Sequence, residues 1–148
     1  MLNPDFRDML CELSAANAEF LVVGAYAMAA HGVPRATGDL DVWVRPTPSN
    51  ADLVFAALAR FGAPLQNLSP ADLTEPGVVF QVGVAPRRID ILTSIDGIGF
   101  EPAWNNRVMV RIGDLNVPVL GRAELLINKR ATGRPKDLAD VAMLEEQR

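Results

Sequence analysis

Asp39 and Asp41 stand two residues apart in "GDLDVWV", a stretch whose apolar residues otherwise want to be buried. Strand side chains repeat every second residue, so Leu40 and Val42 share one face and the two carboxylates share the other. Their Cα atoms should lie about 6.6 Å apart with both acids pointing the same way. Such groups repel unless a cation relieves them. Asp90 sits in the same predicament between Ile89 and Ile91, in "RRIDIL", where an unpaired carboxylate would be costly. If the two strands are neighbours, three acids converge as a pair of hard cations about 3.5 to 4 Å apart would require. The competing reading is separate salt bridges, for instance Asp39 with Arg35 and Asp90 with Arg88.

Around these acids the chain reads as a series of short elements. Phe6, Met9, Leu10 and Leu13 have helical spacing between Asp5 and about Ala16. "EFLVVG" reads as a buried strand, "AYAMAAHG" as a short helix and "DLDVWV" as the second strand. Ser49 is an expected N-cap for "NADLVFAALARF", which Gly62 closes. After a proline-containing loop, "VVFQVGV" and "RRIDILT" form an expected hairpin about Ala85-Pro86. "VMVRI" and "LNVPVL" form another about Gly113-Asp114, with Pro118 suggesting an edge strand. Two helices, "RAELLINKRAT" and "PKDLADVAMLEEQ", finish the chain. Such a succession describes a mixed α/β (α+β) sheet flanked by helices.

Gly24 stands where strand gives way to helix, exposing backbone N–H groups and the positive end of the helix dipole. An anion fits there, although a glycine at a tight turn needs no ligand. A phosphate held at that point would lie beside a cation held by Asp39 and Asp41. "APRRID" and "NKRATGRPK" concentrate Arg87, Arg88, Lys129, Arg130, Arg134 and Lys136. Those cations suit phosphates or solvent; for Arg130 solvent is the expected partner.

Composition bounds these readings. The chain has 148 residues, 49% of them apolar and 22% charged, as expected of one soluble globular domain. Its net charge of −4 argues against broad adhesion to nucleic acid. No apolar run approaches the roughly 20 residues of a membrane span, and the lone Cys11 cannot form an internal disulfide. A cytoplasmic location is the default expectation, since "MLNPDFRDML" lacks the pattern of a secretory signal.

The run "LVVGAYAMAAHGVPRATGDLDVWV", with "RIDIL" downstream, resembles the nucleotidyltransferase superfamily typified by DNA polymerase β. Its signature is a glycine followed by a small residue, a helix, Asp-x-Asp on a strand and a third Asp on a later strand. Thirteen residues, 26 to 38, separate Gly24-Ala25 from Asp39. "NKRATGRPKDLADV" narrows the resemblance toward AbiE-type toxin nucleotidyltransferases. Together the matching regions run from about Phe20 to Val141.

The resemblance implies that Gly24 and the Ala25 amide cradle the phosphates of a nucleoside triphosphate. Asp39, Asp41 and Asp90 would be the catalytic, metal-binding acids, holding two Mg²⁺ ions or Mn²⁺ in their place. Arg35 and Thr37 would orient Asp39 or touch phosphate, or simply bond within their loop; Lys129 would neutralise triphosphate charge. Asp137 and Asp140 would support the site, or else be helix-surface acids. His31 is expected at a helix end, and Trp43 either stacks on a base or belongs to the core. The implied reaction moves a nucleoside monophosphate onto a hydroxyl of tRNA, a protein or a small molecule, within a toxin–antitoxin pair or outside one. Ala25 replaces the family's usual glycine or serine, which keeps the amide but removes a hydroxyl. The alternative is a catalytically inactive binding module or antitoxin-like partner.

Overall fold

Proline at a first helical position recurs through this chain, because its missing N–H would have no intrahelical partner there. Pro4, Pro48 and Pro135 begin three of the helices. The computed structural model describes residues 2–34 and 38–147. In order they form α1 (Pro4–Ala15), β1 (Phe20–Val23), α2 (Gly24–Ala30), β2 (Leu40–Val44) and α3 (Pro48–Phe61). A 3₁₀ turn (Pro70–Thr74), β3 (Val79–Val82), β4 (Ile89–Leu92) and α4 (Phe100–Asn105) follow. The chain ends with β5 (Val108–Ile112), β6 (Leu115–Val119), α5 (Arg122–Thr132) and α6 (Pro135–Glu146).

The strands make one mixed sheet in the order β3-β4-β2-β1-β6-β5. Both expected hairpins are present, β3 with β4 and β5 with β6. β2 runs antiparallel to β1 and parallel to β4, so it is bonded along both edges. Leu40, Val42, Ile89 and Ile91 are all buried, as their alternation requires. α1 contributes Phe6, Met9, Leu10 and Leu13 to the core and packs against α3, which also touches β2.

Two expectations fail. Ser49 is not a cap: the helix starts at Pro48, one residue earlier, with Thr47 at the N-cap position and no capping side-chain bond. Proline's fixed φ already suits the first turn, so Ser49 falls inside the helix. Pro118 is not on an edge strand, since β6 lies between β1 and β5. Leu120 donates its N–H to Val22 in β1, so by the two-residue period the absent N–H of Pro118 also falls on the β1 side. There the ladder has thinned to the single pair Val22 and Val119, and little is lost. The short α4 and the 3₁₀ turn lie in stretches with no clear period.

Asn50, in the first turn of α3, is buried and ties three segments together. It accepts from Glu19 N–H at 2.7 Å and donates to the carbonyls of Glu19 and Arg45, each at 3.0 Å. Replacing it by alanine removes the Glu19 N–H acceptor and one donor to each carbonyl, although the Arg45 N–H still reaches the Glu19 carbonyl, at a cost of about 2 kcal/mol. Denaturant unfolding should show that loss for Asn50→Ala, whereas Ser49→Ala should change stability by no more than about 0.5 kcal/mol.

Candidate active site

The register of β2 against its two neighbours sets the site. Asp41 lies opposite Val23 of β1 on one side and opposite Asp90 of β4 on the other. Val23 is the residue that precedes α2, so Gly24 is brought to the same end of the sheet. Gly24 has φ +65°, and a Cβ there would collide with Oδ2 of Asp41. Position 24 therefore excludes side chains both by backbone conformation and by space. Ala25 follows within the helix, and no side chain caps the α2 N-terminus.

A cavity of about 580 Å³ opens at this end of the sheet. One wall carries Gly24, Ala25, Asp39, Asp41 and Asp90, and the other carries Lys129, Asp137 and Asp140 from the last two helices. Arg88, Arg134 and Lys136 also line it, so both basic stretches of the sequence reach the cavity. Arg130 instead pairs with Glu145 on the exposed surface, 3.1 Å away, as expected of a solvated residue. Arg35 and Thr37 lie outside the described residues.

Arg88 organises two of the three strand acids. Its backbone N–H donates to Asp39 Oδ1 at 3.1 Å, and its guanidinium reaches Asp39 Oδ2 at 3.4 Å. The same guanidinium grips both oxygens of Asp90, at 2.7 and 3.2 Å. Among the described residues no ion pair is made to Asp41. Burial, then the charges of Asp90 and Asp39, push the Asp41 carboxyl up to about 6.

The acids of α6 have the opposite environment. Asp137 is buried, bonded by Arg134 Nε at 2.6 Å and approached by Lys129 Nζ at 3.4 Å. The Arg134 bond holds its carboxyl far below the usual range against the effect of burial. Lys129 Nζ also lies 3.0 Å from the buried Asp140. These acids are thus not helix-surface residues: they hold Lys129 and Arg134 in place at the cavity wall.

Two further candidates belong to the framework. His31 donates from Nε2 to the Leu120 carbonyl at 2.7 Å, closing the end of α2. Trp43 is 1% exposed and packs edge-on against Phe100, 5.0 Å between centroids, so it is core and cannot stack on a ligand. Asn128 and Ile95 line the cavity without any signal in the sequence to single them out, whereas Arg134 and Lys136 come from the basic stretch "NKRATGRPK". The pairing of Asp90 with Arg88 offered by the sequence is present, because the two residues are two apart and lie on one face.

The donors facing the cavity are carboxylate oxygens, which suit a hard divalent cation, and Asp41 has negative charge in want of one. As the side chains stand, no group of three acidic, histidine or cysteine residues among those described closes into a coordination cluster, because Asp39 and Asp90 turn to Arg88.

No family model matches the sequence, and no curated protein matches it by sequence. Solved structures match it by shape. The lincosamide antibiotic adenylyltransferase LnuA, solved with lincomycin, aligns with a TM-score of 0.63 over 100% of this chain and 99% of its own, at 11% identity. ANT(2″)-Ia, solved with adenylyl-2″-tobramycin, gives 0.60 over 94% and 84%, at 12% identity. TM1012 from Thermotoga maritima, assigned as a nucleotidyltransferase, gives 0.58 over 99% and 94%, at 17% identity. These structures share the present architecture across almost the whole chain. The chain carries the nucleotidyltransferase fold.

Opposite pH signatures follow for the two acid environments. Asp41 binds its proton more tightly folded, at about 6, than at its ordinary 3.8, so it makes stability fall as pH rises from about 4 through 6. Asp41→Asn should stabilise the metal-free protein at pH 8 by up to about 2–3 kcal/mol, with the gain vanishing near pH 4. Asp137 is shifted down, so its contribution is present above its ordinary 3.8 and is lost as pH falls below that value. Asp137→Asn should remove part of the acid-side loss and lower stability at pH 7. Urea titrations between pH 3 and 8 read both effects.

Proposed function

We propose that this protein is a nucleotidyltransferase that moves a nucleoside monophosphate from a nucleoside triphosphate onto a hydroxyl of a small-molecule acceptor. The observation that supports it most is the facing of three strand carboxylates and Gly24 across one cavity from a wall of cations. Asp39, Asp41 and Asp90 would hold two Mg²⁺ ions, or Mn²⁺, which when bound supply charge neutralisation for the triphosphate and lower the acceptor hydroxyl's pKa. The Gly24 and Ala25 amides receive phosphate oxygens, while Lys129, set between Asp137 and Asp140, presents a positive wall to them. In the transfer, the acceptor oxygen bonds to the α-phosphorus as the bond to the bridging oxygen breaks and pyrophosphate leaves. Asp90 takes part in accepting the hydroxyl's proton.

A small-molecule acceptor is favoured over tRNA or a protein for two reasons. The cavity volume is that of a small-ligand site, and the chain's net charge of −4 does not suit an RNA partner. LnuA and ANT(2″)-Ia, which share the fold, are both solved with antibiotic molecules. No described helix is long and apolar enough to cross a membrane. One observation favours the alternative of an inactive binding module: Arg88 already neutralises part of the acid cluster.

Calorimetry with each ribonucleoside triphosphate separates the two. The transferase should bind at least one triphosphate with Mg²⁺ present, and the doubly substituted Asp39→Asn, Asp41→Asn protein should lose that binding at least about tenfold. Binding that needs neither metal nor the two acids would overturn the proposal.

A further inference from the structure

Arg88 stands where charge relief for the strand acids is needed, and its contacts are of two kinds. The backbone N–H contact to Asp39 is made by the main chain just before β4 and is fixed there, since Leu40 N–H in turn bonds to the Arg88 carbonyl at 2.9 Å. The guanidinium contacts to Asp39 and Asp90 are made by a side chain that is 30% exposed and extends into an open cavity. The guanidinium can therefore leave while the backbone keeps Asp39 oriented. It is also a single charge serving two carboxylates, beside a third carboxylate that it does not bond.

We propose that Arg88 is an internal counter-ion that occupies the acid cluster in the metal-free protein and must swing out of it for divalent metal to bind. This rests on the metal reading of the site given above. A metal ion and the guanidinium cannot both use the inward oxygens of Asp39 and Asp90. Arg88 accordingly lowers the apparent metal affinity twice, by competing for the oxygens and by repelling the incoming charge. In exchange it holds the two strands' acids together when no metal is present, so the empty site does not force them apart. Asp41, left without an ion pair, is the acid at which a cation can first be received. Arg88 is thus a positioning residue for the cluster, and it sets the metal concentration at which the site assembles.

The test uses Mg²⁺ or Mn²⁺ alone, without nucleotide, titrated calorimetrically into the parent, Arg88→Gln and Arg88→Lys proteins. Thermal melts with and without metal accompany the titrations. Arg88→Gln should melt lower than the parent without metal, gain more from metal and bind it about five- to tenfold more tightly. Arg88→Lys keeps the charge but not the two-pronged grip, so it should fold like the parent and fall between the two in metal affinity. Metal binding by Arg88→Gln where the parent shows none would support the proposal more strongly still. Equal or weaker metal binding in both variants would overturn it while leaving the metal site in place. Absence of metal binding in all three would overturn the metal site, and this role of Arg88 with it.

Discussion

Two like charges are held side by side because the strands carrying them cannot pair in any other way. Asp41 and Asp90 are register partners in a parallel ladder, where neighbouring strands lie about 4.8 Å apart. At an effective dielectric constant near 20, two charges about 5 Å apart repel by about 3 kcal/mol. A slip of one residue in β2 would relieve that repulsion and would also turn Leu40 and Val42 out of the core. Each such side chain is worth roughly 1.5–3 kcal/mol when buried, and β2 is fixed on both edges, so the apolar face wins. The strain of the acid cluster is thus maintained by the hydrophobic core.

The two walls of the cavity answer burial of charge in different ways. On α6 both acids that face the cavity have a cation within reach: Lys129 lies between Asp137 and Asp140, and Arg134 bonds Asp137. The acids of that wall are neutralised, so with Lys129, Arg134 and Lys136 it stays net positive and can hold its shape whether or not a ligand is present. On the strands one guanidinium serves two acids and a third acid has no ion pair among the described residues. The same residue type, aspartate, is driven down on one wall and up on the other. A site with one compensated and one under-compensated wall attracts positive charge to a defined side.

Much of this was legible from period and punctuation. Alternation alone places Leu40 and Val42 opposite Asp39 and Asp41, puts Asp90 on an equivalent face and joins β3 to β4 through Ala85-Pro86. What alternation cannot supply is the covering of that face by elements far away in sequence. Trp43 shares Asp41's face by period, yet Phe100 from α4 seals it two residues beyond the acid. Asp137 and Asp140 fall on α6 where a helix read alone would expose them, and packing against α5 buries them. The position of Pro118 is of the same kind, for the thinning of the β1–β6 ladder depends on where two strands separate. At Ser49 two local signals compete, a good capping residue and the proline before it, and the proline sets the start of the helix.

Ala25 bears on the site less than its departure from the resembling family suggests. Position 24 is doubly constrained, by a positive φ and by the Asp41 carboxylate lying where a Cβ would be. Position 25 carries no positive φ and lies inside α2, where alanine is the residue that costs the helix least. The backbone amide at 25 comes from the helix terminus and is independent of the side chain. What a serine would add there is one hydroxyl at a helix terminus whose main-chain amides already face the cavity that Lys129 and Lys136 line. The residue that shapes this end of the sheet is therefore Gly24, because its missing side chain leaves Asp41 room to stand beside the helix terminus.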